Sequence, residues 1–349
     1  MANAADADKH LPAIDELFRD YNRPDVPGAS VMIIHNGKIV LTKAYGMADL
    51  EKNIPANYAS NYRLASVSKQ FTAMSIMILV DAGKVFLNNS ITNYFPEFPA
   101  YGANITVRQL LNHTSGLLDY EDLIPKDTTI PVLDINVLRL LAAQDKTYFP
   151  PGSQFRYSNS GFALLALIVE KVSGMTYSAF LQKHIFGPLA MDHTLAYEPV
   201  ISTVTNRAFG YTEKNGQFTR TDQSLTSSVL GDGGIYSSIY DLYFWDEALY
   251  TTKLVSKKML DEAFKPGKST LHGNNIQYGF GWFIGEYKGM RDIWHGGETV
   301  GFSTRIERFP DQRFTVIILT NRNDAPIGEI PHKIADMYLA DSQFSEPPK

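Results

Sequence analysis

Leu11, Ile14, Leu17, Phe18 and Tyr21 recur at helical spacing near the start of the chain, which predicts an amphipathic helix over about residues 9–22. Two strand-like runs, 29–35 and 38–44, then flank Asn36-Gly37. That pair favours a type I′ turn because both central positions need positive φ, so the two runs read as an antiparallel hairpin. The far end of the chain repeats the pattern. Residues 278–287, 291–294, 303–309 and 314–320 read as strands joined by short turns, and 328–339 as a closing helix. Between these ends the apolar period changes to helical, in 107–111, 135–143, 162–172 and 240–249.

A sheet is therefore built from both termini and flanked by terminal helices, with a mostly helical insertion, an α+β arrangement. The expected division is 1–84 with 270–349 for the sheet part and 85–269 for the helical part, with the natural cleft between them. Residues after Asp341 read as a frayed tail.

Among 349 residues, 32 Lys+Arg against 37 Asp+Glu leave a net charge of −5, which provides no basic excess for binding nucleic acid. Hydrophobic residues at 44% can fill a sizeable core. The absence of cysteine removes disulfides, thiolate metal sites and a thiol nucleophile together. The most apolar stretches, 71–80 and 162–169, fall well short of the roughly 20 residues a membrane span requires. The small residues Ala2-Asn3-Ala4 resemble the end of a removed signal peptide, which points to a periplasmic or secreted protein, a cytoplasmic one being the alternative.

Ser66-Val67-Ser68-Lys69 precedes an apolar helical run, and it is the only Ser-x-x-Lys in the chain. A spacing of three puts Ser66 and Lys69 on one helical face. Backbone N–H groups at the helix start can hold an oxyanion, and an amine one turn deeper can accept the serine proton. Chance alone supplies about one such tetrapeptide in a chain this long, so its place at a buried helix start is what distinguishes it.

Tyr157-Ser158-Asn159 follows the turn-rich Pro150-Pro151-Gly152. Its phenol can shuttle protons and Asn159 can orient Lys69 or a substrate amide, while taken alone the stretch is read more readily as an ordinary loop tyrosine with an asparagine cap. His295-Gly296-Gly297 ends a strand where two glycines allow close backbone approach, or simply forms a turn with a solvated histidine. The Gly-x-Ser-x-Gly, His-Glu-x-x-His and Gly-x-x-x-x-Gly-Lys-Ser/Thr motifs are absent, and the histidines show no metal-ligand spacing. Gly231-Asp232-Gly233-Gly234 reads as a tight turn before the helix at Tyr240.

These three elements in this order resemble the serine β-lactamase and penicillin-binding protein superfamily, in the branch of class C β-lactamases, D,D-peptidases and related esterases. The stretches Leu110 to Leu117, Pro151 to Asn159, Gly233 to Ser237 and Gly301-Phe302 resemble it too. The resemblance implies a class C β-lactamase-like fold, with no cofactor and no metal. It implies Ser66 as the acylated nucleophile, Lys69 and Tyr157 as the proton-transfer network and Asn159 as a substrate-positioning group. His295, Gly296 and Gly297 stand where the family carries Lys-Thr-Gly, and the oxyanion hole maps to the N–H groups of Ser66 and Glu298. His113 to Gly116 reads as a structural loop. The missing lysine and hydroxyl remove charge-assisted hydrogen bonds to a β-lactam carboxylate, each worth about 1.5–3 kcal/mol, although Arg305 or Arg308 on the next strand could compensate. The expected activity is acyl transfer on esters or D-amino-acid peptides and amides, with β-lactams ranked below them. A non-catalytic protein binding peptidoglycan-like peptides on the same fold is the alternative. Its partner is a small-molecule ester, peptide or β-lactam, with no nucleic acid and no membrane span, and the oligomeric state is left open.

Overall fold

A computed structural model describes residues 4–270, 273–324 and 326–339, so the tail after Asp341 and the first three residues lie outside the described residues. Its largest sheet has eight strands: β1 (Ala29–His35), β2 (Lys38–Tyr45), β3 (Ser269–Thr270), β4 (Gly273–Tyr278), β5 (Phe283–Tyr287), β6 (Met290–Thr299), β7 (Phe302–Phe309) and β8 (Phe314–Thr320). All pair antiparallel in the order β3-β4-β5-β6-β7-β8-β1-β2. The strands from the two ends of the chain join inside it, between β8 and β1, where Val31 of β1 lies opposite Lys43 on one side and Ile318 on the other. Asn36 and Gly37 both take the positive φ their turn needs.

Alternation along β1 and β8 separates two cores. Val31, Ile33, Val316 and Ile318 face helices α1 (Ala4–Leu17) and the C-terminal Ile330–Leu339, meeting Ile14, Phe18, Ile330 and Ile334. Met32, Ile34, Ile317 and Leu319 face the other way, into a larger core with Phe71, Phe162 and Trp245. A one-residue slip would exchange these faces, at about 1.5–3 kcal/mol for each large side chain exposed, so the register is strongly specified. Three helices are buried on this second side: α2 (Lys69–Asp81), α3 (Asn159–Ser173) and α4 (Ile239–Ala248). The C-terminal helix is α5. No single described helix is long and apolar enough to cross a membrane; α3 passes with Tyr177–Leu189 only as a pair bent by 76°.

Three expectations are corrected. Residues 278–287 are not one strand: the chain turns over at Gly279 to Trp282, and the Gly279 N–H bonds the Trp282 carbonyl at 2.8 Å. Gly281 takes φ +79° there, and a Cβ on it would stand 3.0 Å from the Lys69 carbonyl, so glycine lets this turn lie on the start of α2. Residues 231–234 form most of a one-turn helix, Leu230–Gly233, which leads into a strand, Ile235–Ser237. That strand pairs with Tyr62–Arg63 and Leu195–Ala196 in a small sheet with no alternating pattern to announce it. Finally, Ser66 precedes α2 rather than occupying it, in a 3₁₀ turn over Ala65–Ser68.

On the terminal-helix side, His332 of α5 ties that helix to the sheet. Its Nε2 lies 2.9 Å from Asp292 Oδ2 and 3.1 Å from Glu307 Oε1, and its ring stacks on Tyr287. Histidine spacing in the sequence does not reveal this cluster, in which three ligand-type atoms lie within 4.8 Å of one another. Burial lowers the imidazole pKa, but the hydrogen bonds and charges of Asp292 and Glu307 outweigh it and raise the value to about 9. A folded-state value above the unfolded one contributes stability that is complete below about pH 6.5 and lost as pH rises through 9. Thermal melting should therefore fall by a few °C more in the wild type than in His332→Gln between pH 7 and 10. Parallel curves would show that the cluster carries no proton-linked stability.

Candidate active site

The start of α2 is held from several directions. The Leu64 N–H bonds the Ile235 carbonyl at 2.8 Å, and Thr304 Oγ1 of β7 donates to the Leu64 carbonyl at 2.7 Å. Ala65 takes φ +48°, a left-handed conformation that costs an alanine about 1–2 kcal/mol and that these anchors impose immediately before Ser66. Gly297 of β6 packs on the same turn. A Cβ there would stand 2.2 Å from the Leu64 carbonyl oxygen, 2.5 Å from Thr304 Oγ1 and 3.0 Å from the Ser66 nitrogen.

Lys69 is fully buried, and its ammonium has three partners. Nζ lies 2.9 Å from Ser66 Oγ, 2.8 Å from Asn159 Oδ1 and 2.8 Å from the Asp232 carbonyl oxygen. Asn159 opens α3 and is oriented from its other end, because its Nδ2 donates to Glu121 at 2.7 Å. The amide oxygen is thereby left for the lysine.

Tyr157 stands beside this group, its ring centroid 5.0 Å from Lys69 Nζ. The ring is packed against His113 at 4.2 Å and lies parallel to Phe283. Its hydroxyl is buried and has no hydrogen-bond partner among the described residues, the kind of group a bound ligand can satisfy.

His295 is buried, and both ring nitrogens are engaged. Nδ1 lies 2.6 Å from the Gly296 carbonyl, which can only accept, so Nδ1 carries the proton and Nε2 accepts from the Tyr278 hydroxyl at 2.9 Å. Burial, then the nearby Lys69 charge, lowers its pKa to about 3, and the same causes hold His113 well below the usual histidine range. Both imidazoles are neutral, so neither is the solvated histidine that the turn reading allowed. β5 pairs with β6 only as far as Trp294, leaving the edge of β6 open beyond it. Gly296 and Glu298, two residues apart on β6, turn their backbone groups to the same edge of the strand.

These residues converge on one cleft of about 750 Å³, lined by Ser66, Tyr157, Asn159, the 295–298 strand edge and Arg305. The two arginines separate clearly. Arg308 is buried and spent on Asp246, with Nε 2.6 Å from Oδ1. Arg305 reaches the cleft wall, stacked 3.8 Å from the Trp294 ring centroid and held through Nε by Glu307.

Sequence reasoning missed Glu121, Asp232 and Tyr120 at this site. Tyr120 donates to Asp232 Oδ2 at 3.0 Å. Local spacing carries no signal for contacts that span 38 residues or more.

Residues 14–336 match the sequence profile of the family described as Beta-lactamase. The chain belongs to that family. With it comes membership of the serine hydrolase superfamily that includes the penicillin-binding proteins. Penicillin-binding protein 4* of Bacillus subtilis (strain 168) is 32% identical over 332 residues, covering 90% of this chain and 72% of that protein. The octameric penicillin-binding protein homologue from Pyrococcus abyssi superimposes with a TM-score of 0.84 at 25% identity, over 95% of this chain and 77% of that one. D-amino acid amidase from Ochrobactrum anthropi SV3, in complex with L-phenylalanine amide, shares the fold with a TM-score of 0.81 at 24% identity, covering 96% and 99% of the two chains. Family members thus share the large antiparallel sheet and helices seen here.

Gly297→Ala should test how tightly β6 sets the Ser66 turn. The added methyl must displace the Leu64 carbonyl, so stability falls by about 1–3 kcal/mol. Turnover falls by about 10²-fold at a temperature where the variant is fully folded, because an ångström of misplacement costs that much. Wild-type kcat/KM in a destabilised variant would separate this contact from the site's geometry.

Proposed function

We propose that this chain hydrolyses esters or D-amino-acid amides and peptides through an acyl-enzyme on Ser66. The observation that carries the reading is the set of acceptors around Lys69. As an ammonium, Lys69 has three N–H donors and three acceptors. As an amine it keeps two donors, which Asn159 Oδ1 and the Asp232 carbonyl accept, and its lone pair is then directed at Ser66 Oγ. The arrangement accommodates the lysine before and after proton transfer without movement.

The steps follow from this. Ser66 Oγ bonds to the substrate carbonyl carbon as its proton passes to Lys69. The oxyanion is held by the N–H groups of Ser66 and Glu298. The C–O or C–N bond then breaks, and the leaving group takes a proton delivered through Tyr157 from Lys69. Water bonds to the acyl carbon as its proton passes by way of Tyr157 to Lys69, and the bond from that carbon to Ser66 Oγ breaks as Lys69 returns the proton to Oγ, which releases the acid and restores the serine.

Substrate choice follows from what faces the cleft. With His295 neutral and Arg308 paired to Asp246, Arg305 is the cation on the cleft wall that a substrate carboxylate can use. A β-lactam would lack the lysine and hydroxyl its carboxylate normally meets, so esters and D-amino-acid amides rank above it. The kinship with D-amino acid amidase in fold is consistent with that order.

A fluorophosphonate probe should add one adduct, on Ser66, to the folded protein. Ser66→Ala should lower turnover by about 10³-fold or more across p-nitrophenyl esters, D-amino-acid amides, a D-Ala-D-Ala peptide and a chromogenic cephalosporin. Tyr157→Phe should slow acylation by about 10²-fold. No labelling and no serine-dependent product on any of these would leave the protein as a peptide-binding member of the fold.

A further inference from the structure

Asp232 is the buried acid next to the nucleophile that no step above uses. Its carbonyl oxygen accepts from Lys69 Nζ at 2.8 Å, and its carboxyl is only three bonds away from that carbonyl carbon, so a second charge stands within one residue's reach of the ammonium. The side chain is 7% exposed. Tyr120 holds its Oδ2 at 3.0 Å.

The turn that carries Asp232 is built to stay in place. Asp134, opening another helix, accepts from the Leu230 N–H at 2.9 Å and the Gly231 N–H at 3.0 Å, gripping the start of the one-turn helix. Thr72 of α2 donates to the Gly231 carbonyl at 2.7 Å, and Arg63 to the Gly233 carbonyl at 3.2 Å. A Cβ on Gly231 would stand 2.3 Å from the Phe162 carbonyl oxygen, so the turn lies directly on α3. With four segments clamping one turn, the Asp232 backbone is kept on Lys69, and Tyr120 holds the carboxyl.

We propose that Asp232 is a positioning residue that sets the protonation balance of the Ser66–Lys69 pair, its carbonyl fixing the amine's direction and its carboxylate favouring the ammonium. The inference rests on the acyl-enzyme reading above, in which Lys69 must be neutral to act. The charged and titratable groups facing Asp232 are Lys69, Glu121, Tyr120, Arg63 and, from the gripping helix, Asp134; Tyr177 lies within range of both acids. Burial raises the Asp232 pKa to about 6, with Lys69 opposing it, so the carboxyl changes charge inside the working pH range. Below that value it is neutral and Lys69 is released from its pull. Above it the carboxylate adds a negative charge near Lys69.

The test is the pH profile of kcat/KM for any ester that wild type turns over and Ser66→Ala does not. Asp232→Asn keeps the backbone carbonyl and an acceptor for Tyr120 while removing the charge. Its ascending limb should move to lower pH by about one unit, the size expected for loss of one nearby opposite charge, and the wild-type inflection near pH 6 should vanish. Tyr120→Phe, which leaves Asp232 intact, removes a hydrogen bond that favours the carboxylate and should move that inflection to higher pH. Profiles that coincide with wild type in both variants, whatever the change in absolute rate, overturn the assignment. Activity that survives Ser66→Ala would instead overturn the acyl-enzyme reading, so the two failures are distinguishable.

Discussion

A lysine ammonium with no access to water must find its hydrogen-bond acceptors inside the protein, and burying it without them would cost several kcal/mol. Lys69 finds them on three stretches of chain that begin at residues 66, 159 and 232. None is near another in sequence, apart from Ser66 one turn back. The amino end of α2, the amino end of α3 and the 230–233 turn must therefore close on one point, and the helical layer is packed to make them do so. Gly231, set against the Phe162 carbonyl, and Gly297, set against Leu64, are places where a Cβ would hold those segments apart.

Electrostatics around that point are sparse by construction. Burial depresses His113 and His295, and the Lys69 charge adds to the effect, so the aromatic wall around Tyr157 carries no positive charge of its own. Arg308 is removed from consideration by Asp246, which also accepts from Thr315 and so anchors α4 on the sheet. The lysine is left as the cation beside Ser66. Arg305 serves a different place, further along the cleft, where Glu307 and the Trp294 ring hold its guanidinium.

What could be read from the chain alone is what short-range chemistry decides. Asn36-Gly37 specifies its hairpin through φ, and 29–35 and 314–320 read as strands from short, almost unbroken apolar runs, because one face meets the terminal helices and the other the helical layer. Ser66 and Lys69 are one turn apart by covalent geometry, so their contact was legible. The break at Gly279 to Trp282 was not, since the apolar run continues through it and only the approach of the Lys69 and Gln70 backbone forces the turn. Asp134 illustrates the same limit. In sequence it is an acidic residue at a helix start, an ordinary favourable placement, and nothing local says that its carboxylate caps a different helix 96 residues away. Glu121 is equally anonymous until Asn159 is folded against it.

Glu121 and Asp232 share a property: they act on Asn159 and Lys69 through a carboxylate and a carbonyl whose direction is set by tertiary contact. Residue type and spacing identify groups that react, whereas groups that aim a reacting atom are chosen for where the backbone delivers them. The carbonyl of Asp232 makes the point most sharply, because a main-chain oxygen leaves no trace in a sequence; any residue would supply it. What is specific at position 232 is the carboxyl attached to that carbonyl, kept near the lysine by a turn that Asp134, Thr72 and Arg63 grip from three sides. A buried acid costs stability unless its charge does something there, and the ammonium 2.8 Å from its own backbone is the group on which that charge can act.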